Sequence, residues 1–198
     1  MAVSGTATAR VAAVDDATGS GVAVCPAGTG VLGGGMAATL ACSGSGTGGL
    51  TPPASLHLTG GYPPPGGGWA VGAGTGKEPV SGGITTAIAI CAGTGSATVT
   101  TVSATVPGPL DAGASAAATA SCPAGTVLVG GGARTDAPSN PDAVPALHLI
   151  ASFSSTGGGS PLRSGSAQAW TATAQNGGMP SPGAATTAYA QCATPAGY

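Results

Sequence analysis

The sequence predicts an all-β protein made of two tandem homologous units, each with about five short strands and held together by disulfides. Three observations support this prediction: an internal repeat, short segments of alternating apolar and polar residues between Gly and Pro clusters, and cysteines at matching places in both repeats. Regularly spaced short strands with turn signals between them are typical of β-sandwich, barrel and β-prism architectures. The pattern leaves these three open.

An internal duplication organises the chain. Residues 25–35 (CPAGTGVLGGG) and 122–132 (CPAGTVLVGGG) agree at eight of eleven positions. Further blocks match in the same order: residues 56–58 with 147–149, Trp69 with Trp170, and residues 85–92 with 186–193. Ordered self-similarity of this kind indicates repeated structural units. We assign them to residues 1–98 and 99–198, which can pack together as one pseudo-symmetric domain.

Several segments of the first unit carry the strand signature of alternation between turn residues. They are Thr6–Val11, Gly21–Cys25, Ser55–Thr59, Trp69–Gly74 and Thr85–Cys91. In the second unit, the alanine-rich residues 114–120 have helical propensity, but glycines in the matching part of the first unit disfavour a helix. The triple glycines at 33–35 and 130–132 follow a strand, and we expect them to permit a bulge or close backbone approach.

The composition alone is typical of a low-complexity or disordered chain. Gly accounts for 38 and Pro for 17 of the 198 residues, and only 3% are aromatic. Disorder, however, combines low hydrophobicity with high net charge, whereas this chain has a net charge of −2 and a mean hydropathy of +0.34. Nearly neutral proteins tend to associate. We therefore expect its partners to be copies of itself or other assembly proteins.

Charge and hydropathy also disfavour other partners. The basic residues Arg10, Lys77, Arg134 and Arg163 are scattered, so the sequence predicts no binding of nucleic acid. Gly, Pro or Thr interrupts every long apolar run, so we expect no membrane insertion. The first residues lack the basic and apolar regions of a signal peptide. We place the protein outside the cell or on the surface of a virion.

The cysteines predict two disulfides. Cys25, Cys91, Cys122 and Cys192 occupy matching places in the two units, so the simplest pairing joins Cys25 to Cys91 and Cys122 to Cys192. Disulfides imply an oxidising environment. A metal site is the weaker interpretation because the chain lacks a CxxC motif and clustered histidines. Cys42 has no counterpart, and a buried thiol is favoured over an intermolecular link.

No residue pattern identifies a catalytic, metal or cofactor site. The adjacent Asp15 and Asp16 fit the role of turn residues. The triple glycines lack the Lys-Ser/Thr of a phosphate-binding loop, and no nucleophile motif accompanies either histidine. We expect no cofactor and no enzymatic activity, and a hydrolase is the least favoured function.

Four residues at matched positions are candidates for surface binding. His57 and His148 each lie between two leucines of a strand, so they face solvent or a partner when the leucines face inward. Tyr62 and Phe153 follow in the loop before the next strand, where we expect exposed contacts.

The two tryptophans are candidates for the core instead. Trp69 and Trp170 are matched and begin a strand in each unit. Large aromatic side chains contribute much of the buried area in a core that has few other large residues. We expect both to anchor the cores of their units.

The order of motifs in each unit resembles a known kind of repeat module. Cys-Pro-Ala-Gly-Thr, Gly-Gly-Gly, a Leu-rich strand, Trp and Ala-x-Cys are similar to modules of secreted actinobacterial proteins and of phage tail or fibre-type proteins. The resemblance implies a β-rich, surface-displayed module without catalytic residues. We therefore expect a non-enzymatic structural or attachment protein, such as a phage capsid-decoration or tail-associated protein. The alternative is a secreted bacterial lectin-like or adhesin module that binds cell-surface glycans.

Overall fold

The protein is all-β, as the sequence predicted. The structure is a computed structural model that describes residues 3–13, 19–40, 56–75, 83–93, 98–137, 146–162, 166–178 and 180–194. These residues contain twelve strands and no α-helix. In this part of the chain, no helix is long and apolar enough to cross a membrane. The unmatched Cys42 lies outside the described residues.

Each half of the chain contributes six strands. The first half holds β1 (Val3–Ala13), β2 (Gly19–Ala23), β3 (Thr29–Leu40), β4 (Leu56–Tyr62), β5 (Trp69–Thr75) and β6 (Gly83–Gly93). The second half holds β7 (Val99–Pro107), β8 (Ser115–Ser121), β9 (Val127–Asp136), β10 (Leu147–Ser155), β11 (Ala169–Asn176) and β12 (Ala185–Ala193). The alanine-rich segment at 114–120 thus forms strand β8 rather than a helix.

The two halves repeat one arrangement of strands. The first half contains two groups of hydrogen-bonded strands, in the orders β1-β6-β3 and β2-β5-β4. The second half contains two matching groups, in the orders β7-β12-β9 and β8-β11-β10. Every strand of the second half therefore has the same neighbours as its counterpart six strands earlier. The predicted boundary at 98/99 falls between β6 and β7. The division into units of residues 1–98 and 99–198 stays a prediction.

The halves join through one pair of edge strands. β4 lies antiparallel to β9, with Gly60 opposite Arg134 and Gly61 opposite Ala133. This pairing produces a six-stranded sheet with the order β2-β5-β4-β9-β12-β7. The two three-stranded sheets, β1-β6-β3 and β10-β11-β8, pack on the strands of their own halves, and β3 also contacts β9 while β10 contacts β4. None of the described sheets closes into a barrel, and in each half two sheets face each other as in a β-sandwich.

Small side chains dominate the interior of both halves. The core of the second half consists of Cys192 and six alanines, with Trp170 partly buried against it. The core of the first half adds Trp69 and Val71 to alanines and Cys91. Because alanine is short, layers lined by it approach closely, and the large tryptophans fill the remaining space.

The triple glycines lie inside strands β3 and β9, not after a strand as predicted. A Cβ atom at Gly34 would overlap the indole of Trp69, and one at Gly131 would overlap the indole of Trp170. The middle glycine of each run therefore makes room for the tryptophan of its own half. Glycine weakens a strand by itself, which explains why the sequence pattern did not predict β3.

Bulges occur at matching places in both halves. The register shifts between Val31 and Gly33 in β3, and at Leu128–Gly130 in β9. It shifts again at Leu58–Gly60 in β4 and at Leu149–Ala151 in β10. Bulges beside the glycine runs agree with the role that the sequence predicted for them.

Both predicted disulfides are confirmed. Cys25 is bonded to Cys91 across 66 residues, and Cys122 to Cys192 across 70 residues. Each bond connects the segment between the second and third strands of a half to its last strand. The two bridges indicate an oxidising, extracellular environment.

Candidate functional site

A cleft of about 850 Å³ opens where the two halves meet. The first half contributes the beginning of β3, the loop after β4 and the end of β6. The second half contributes the beginning of β7 and side chains from β9 and β12. The volume lies in the range of typical small-molecule sites.

Glycine allows the strand pairing that forms this junction. A Cβ atom at Gly60 would lie 2.8 Å from the carbonyl oxygen of Ala133 and 3.0 Å from the Cα of Arg134. A larger residue would push β4 away from β9. The absence of a side chain at this position thus brings the end of β4, and with it Tyr62, next to the second half.

A loop of three prolines and three glycines borders the cleft. Pro63, Pro64 and Pro65 follow β4 directly, and proline fixes φ near −65°. The next three residues are Gly66–Gly68, whose φ values of 94°, 87° and 95° lie in the region that L side chains rarely adopt. The Gly67 amide donates a hydrogen bond to the Pro64 carbonyl at 3.3 Å. The sequence therefore defines the conformation of this loop.

Two tyrosines from different halves stack beside this loop. The ring centroids of Tyr62 and Tyr189 are 5.3 Å apart, with an angle of 19° between the planes. The guanidinium carbon of Arg134 lies 5.3 Å from the centroid of the Tyr62 ring, within the range of a cation–π contact. Both rings are half-buried and line the cleft.

The charges at the cleft balance each other. An Arg134 guanidinium nitrogen lies 2.7 Å from a carboxylate oxygen of Asp136. Burial raises the pKa of the Tyr189 hydroxyl above its ordinary value, and the nearby Arg134 opposes part of this shift. Tyr189 is therefore a neutral donor and acceptor at physiological pH.

Gln191 is the most deeply buried polar group that lines the cleft. Its side chain is 1% exposed. The amide oxygen accepts a hydrogen bond from the Thr101 hydroxyl at 3.1 Å, but the amide nitrogen has no acceptor among the described residues. Buried polar groups are nearly always hydrogen-bonded. Gln191 therefore places a buried donor without an acceptor among the residues that line the cleft.

The structure separates Tyr62 from its counterpart Phe153. Both lie in strands, β4 and β10, and not in the loop that the sequence predicted. Tyr62 and Phe153 both follow the bulges of these strands. Tyr62 lines the cleft, whereas Phe153 is half-buried outside it.

The two histidines lie close to each other. The ring centroids of His57 and His148 are 4.2 Å apart, with an angle of 44° between the planes. Both side chains are half-buried. Each histidine therefore contacts the other half of the same chain, and its role in surface binding stays a prediction. Neither lines the cleft.

The tryptophans differ in their surroundings. Trp69 is 2% exposed and lies within the core of the first half. Trp170 is partly buried against the core of the second half, and its indole nitrogen donates a hydrogen bond to the Ser152 hydroxyl at 2.8 Å. Neither lines the cleft.

Sequence reasoning did not identify Arg134, Tyr189 and Gln191 as site residues. One signal was present: the matching positions of the first half are Ala37, Ile88 and Ile90. In all three pairs, an apolar residue of one half is replaced by a polar one in the other.

Comparison with protein-family models and with curated proteins found no match to this chain. The described residues also contain no group of three or more His, Cys, Asp or Glu side chains that could hold a metal ion.

Proposed function

We propose that this protein is a non-enzymatic attachment protein displayed on an extracellular surface, and that it is a virion component of the capsid-decoration or tail-associated type. The observation that carries the proposal is the joining of two disulfide-bonded sandwiches into one continuous sheet with a cleft at the junction. Such a body suits exposure outside the cell, where disulfides persist.

The surface of the protein supports packing against neighbours. Val24 and Ile150 are 64% and 53% exposed, and Val127 is 49% exposed. The net charge of −2 provides little repulsion between copies or between the chain and other assembly proteins. The motif order that resembles phage tail or fibre-type modules supports the same proposal.

The test is the location of the protein in a culture that produces it. Particles are purified by density gradient, and the chain is quantified against capsid and tail proteins by mass spectrometry. We expect a fixed ratio to those proteins across the gradient fractions. Recovery of the chain in the secreted fraction, free of particle proteins, would contradict a virion role.

A secreted lectin-like or adhesin module is the second candidate. The observation that favours it is the presence of Tyr62 in the cleft, beside polar groups from the other half. Genes for capsid or tail proteins next to the coding sequence would contradict this alternative. Their absence, together with recovery in the secreted fraction, would support it.

A further inference from the structure

We infer that the cleft between the halves binds a neutral sugar residue of a surface glycan, through Gln191, Tyr62 and the hydroxyls around them. The inference rests on the proposed attachment function and names the ligand class of its site. It follows from the hydrogen-bonding groups, the charge balance and the stiffness of the cleft.

The amide of Gln191 favours a ligand that supplies a hydrogen-bond acceptor. Gln191 is 1% exposed, and its amide nitrogen has no acceptor among the described residues. A buried donor without an acceptor destabilises the protein, so an empty cleft or a purely apolar ligand is disfavoured. The hydrogen bond from Thr101 holds the amide oxygen and so fixes the orientation of the amide nitrogen. A ligand oxygen is the acceptor that would complete this group.

The balanced charge of Arg134 and Asp136 favours a neutral ligand. Arg134 contacts Asp136 at 2.7 Å, so its positive charge is already compensated. A phosphate or a carboxylate is bound best by an uncompensated guanidinium. A ligand rich in hydroxyls and without net charge fits the balanced pair better.

The cleft is lined by both aromatic and hydroxyl groups. Tyr62 and Tyr189, which stack on each other, line the cleft with aromatic carbon and with hydroxyls that both donate and accept, and Thr98 and Thr101 add two more hydroxyls. A pyranose has a similar mixture, since its C–H faces are apolar and its hydroxyls both donate and accept. The loop of Pro63–Pro65 reduces the ordering that binding would require.

The experiment is binding of the full-length protein to an array of immobilised neutral hexose and N-acetylhexosamine oligosaccharides and matched uronic-acid oligosaccharides. We expect the wild type to bind a subset of the neutral glycans. Tyr62→Ala and Gln191→Met should each weaken that binding at least tenfold.

A matched control is available in the other half. Phe153→Ala changes the counterpart of Tyr62 outside the cleft and should leave binding within twofold of the wild type. Gln191→Met keeps the size of the side chain and removes the unmatched donor, so its melting temperature should equal or exceed that of the wild type. A loss of binding then reports on the site and not on folding.

Charge provides a second, independent variant. Asp136→Asn leaves Arg134 uncompensated, and we expect it to gain binding to the uronic-acid glycans. Failure of Asp136→Asn to gain this binding would overturn the charge argument for a neutral ligand.

Three results would overturn the inference itself: no binding to neutral glycans, a preference of the wild type for acidic glycans, or full binding by Gln191→Met and Tyr62→Ala. The gradient experiment decides the virion role separately. Association with particles without glycan binding would leave that role standing and remove this inference. Glycan binding by a protein absent from particles would do the reverse.

Discussion

The two halves of this protein share one topology and differ in the side chains that line the cleft. Both have the same strand neighbours, the same bulges and the same disulfide. In the first half, Ile88 and Ile90 occupy β6, whereas Tyr189 and Gln191 occupy the matching places in β12. Glycines, alanines and cysteines at matching positions therefore stabilise the same fold in both halves. The site is formed by residues that differ between the halves.

The cleft also depends on how the copies meet. Tyr62 comes from the first half, and the polar side chains come from the second. Pairing of β4 with β9 brings them together. No pairing of the equivalent strands β10 and β3 occurs among the described residues, so the arrangement of the two halves is asymmetric at this point.

The largest expected effect is loss of a disulfide. Each bond closes a long loop, and the chain-entropy model gives about 4 kcal/mol for loops of this length. Cys122→Ala with Cys192→Ala should cost more than Cys25→Ala with Cys91→Ala, because the core of the second half lacks a fully buried Trp. Urea denaturation of both variants measures the difference. Equal losses would show that core composition does not distinguish the halves.

The next effect concerns the glycines beneath the tryptophans. Gly34→Ala and Gly131→Ala should each lower the free energy of unfolding by about 1–3 kcal/mol, because the added methyl overlaps an indole. Gly35→Ala is the matched control, since its Cβ would make only an ordinary contact, 3.9 Å from the Cβ of Ile88. Thermal unfolding compares the three. A control as unstable as the test variants would refute the steric explanation.

A smaller effect distinguishes the two tryptophans. Ser152→Ala removes the acceptor of the Trp170 indole and should cost about 1 kcal/mol. The counterpart of Ser152 is Gly61, and the Trp69 indole nitrogen has no acceptor among the described residues. Ser152→Ala therefore removes a hydrogen bond that the matching Gly61 of the first half cannot form. Denaturant unfolding with Trp fluorescence as the signal tests this, and an unchanged midpoint would show that the bond adds no stability.

The smallest effect is a dependence on alkaline pH. Burial raises the pKa of Tyr189 above 10.0 in the folded state, so the folded protein keeps a proton that the unfolded chain releases. Stability is therefore complete below about pH 10 and falls as the pH rises through the raised pKa. Urea unfolding between pH 9 and 11, in a Cys42→Ser background that prevents thiol exchange, measures it. Tyr189→Phe should flatten the decline, and an identical decline in this variant would contradict the assignment.

Much of the fold followed from local patterns. The repeat predicted the disulfide pairs, and alternation predicted five of the six strands in the first half. β3 was missed because three glycines interrupt its alternation. The middle glycine makes room for a tryptophan that lies more than thirty residues away in the sequence. The cleft was missed because it depends on β4 meeting β9, and no local pattern encodes this long-range pairing. Of its side chains, the sequence predicts only Tyr62 as a binding residue.

The most direct test of the account is the side-chain amide resonance of Gln191 in a ¹⁵N–¹H correlation spectrum, recorded while the best neutral oligosaccharide from the array is added. At 17.9 kDa, the protein suits this measurement. We expect the Gln191 side-chain signals and the backbone amides of Tyr62 and Thr98 to shift together and to saturate. Shifts that cluster instead around Phe153, with the Gln191 signals unchanged, would contradict the claim that the junction of the two halves is the binding site.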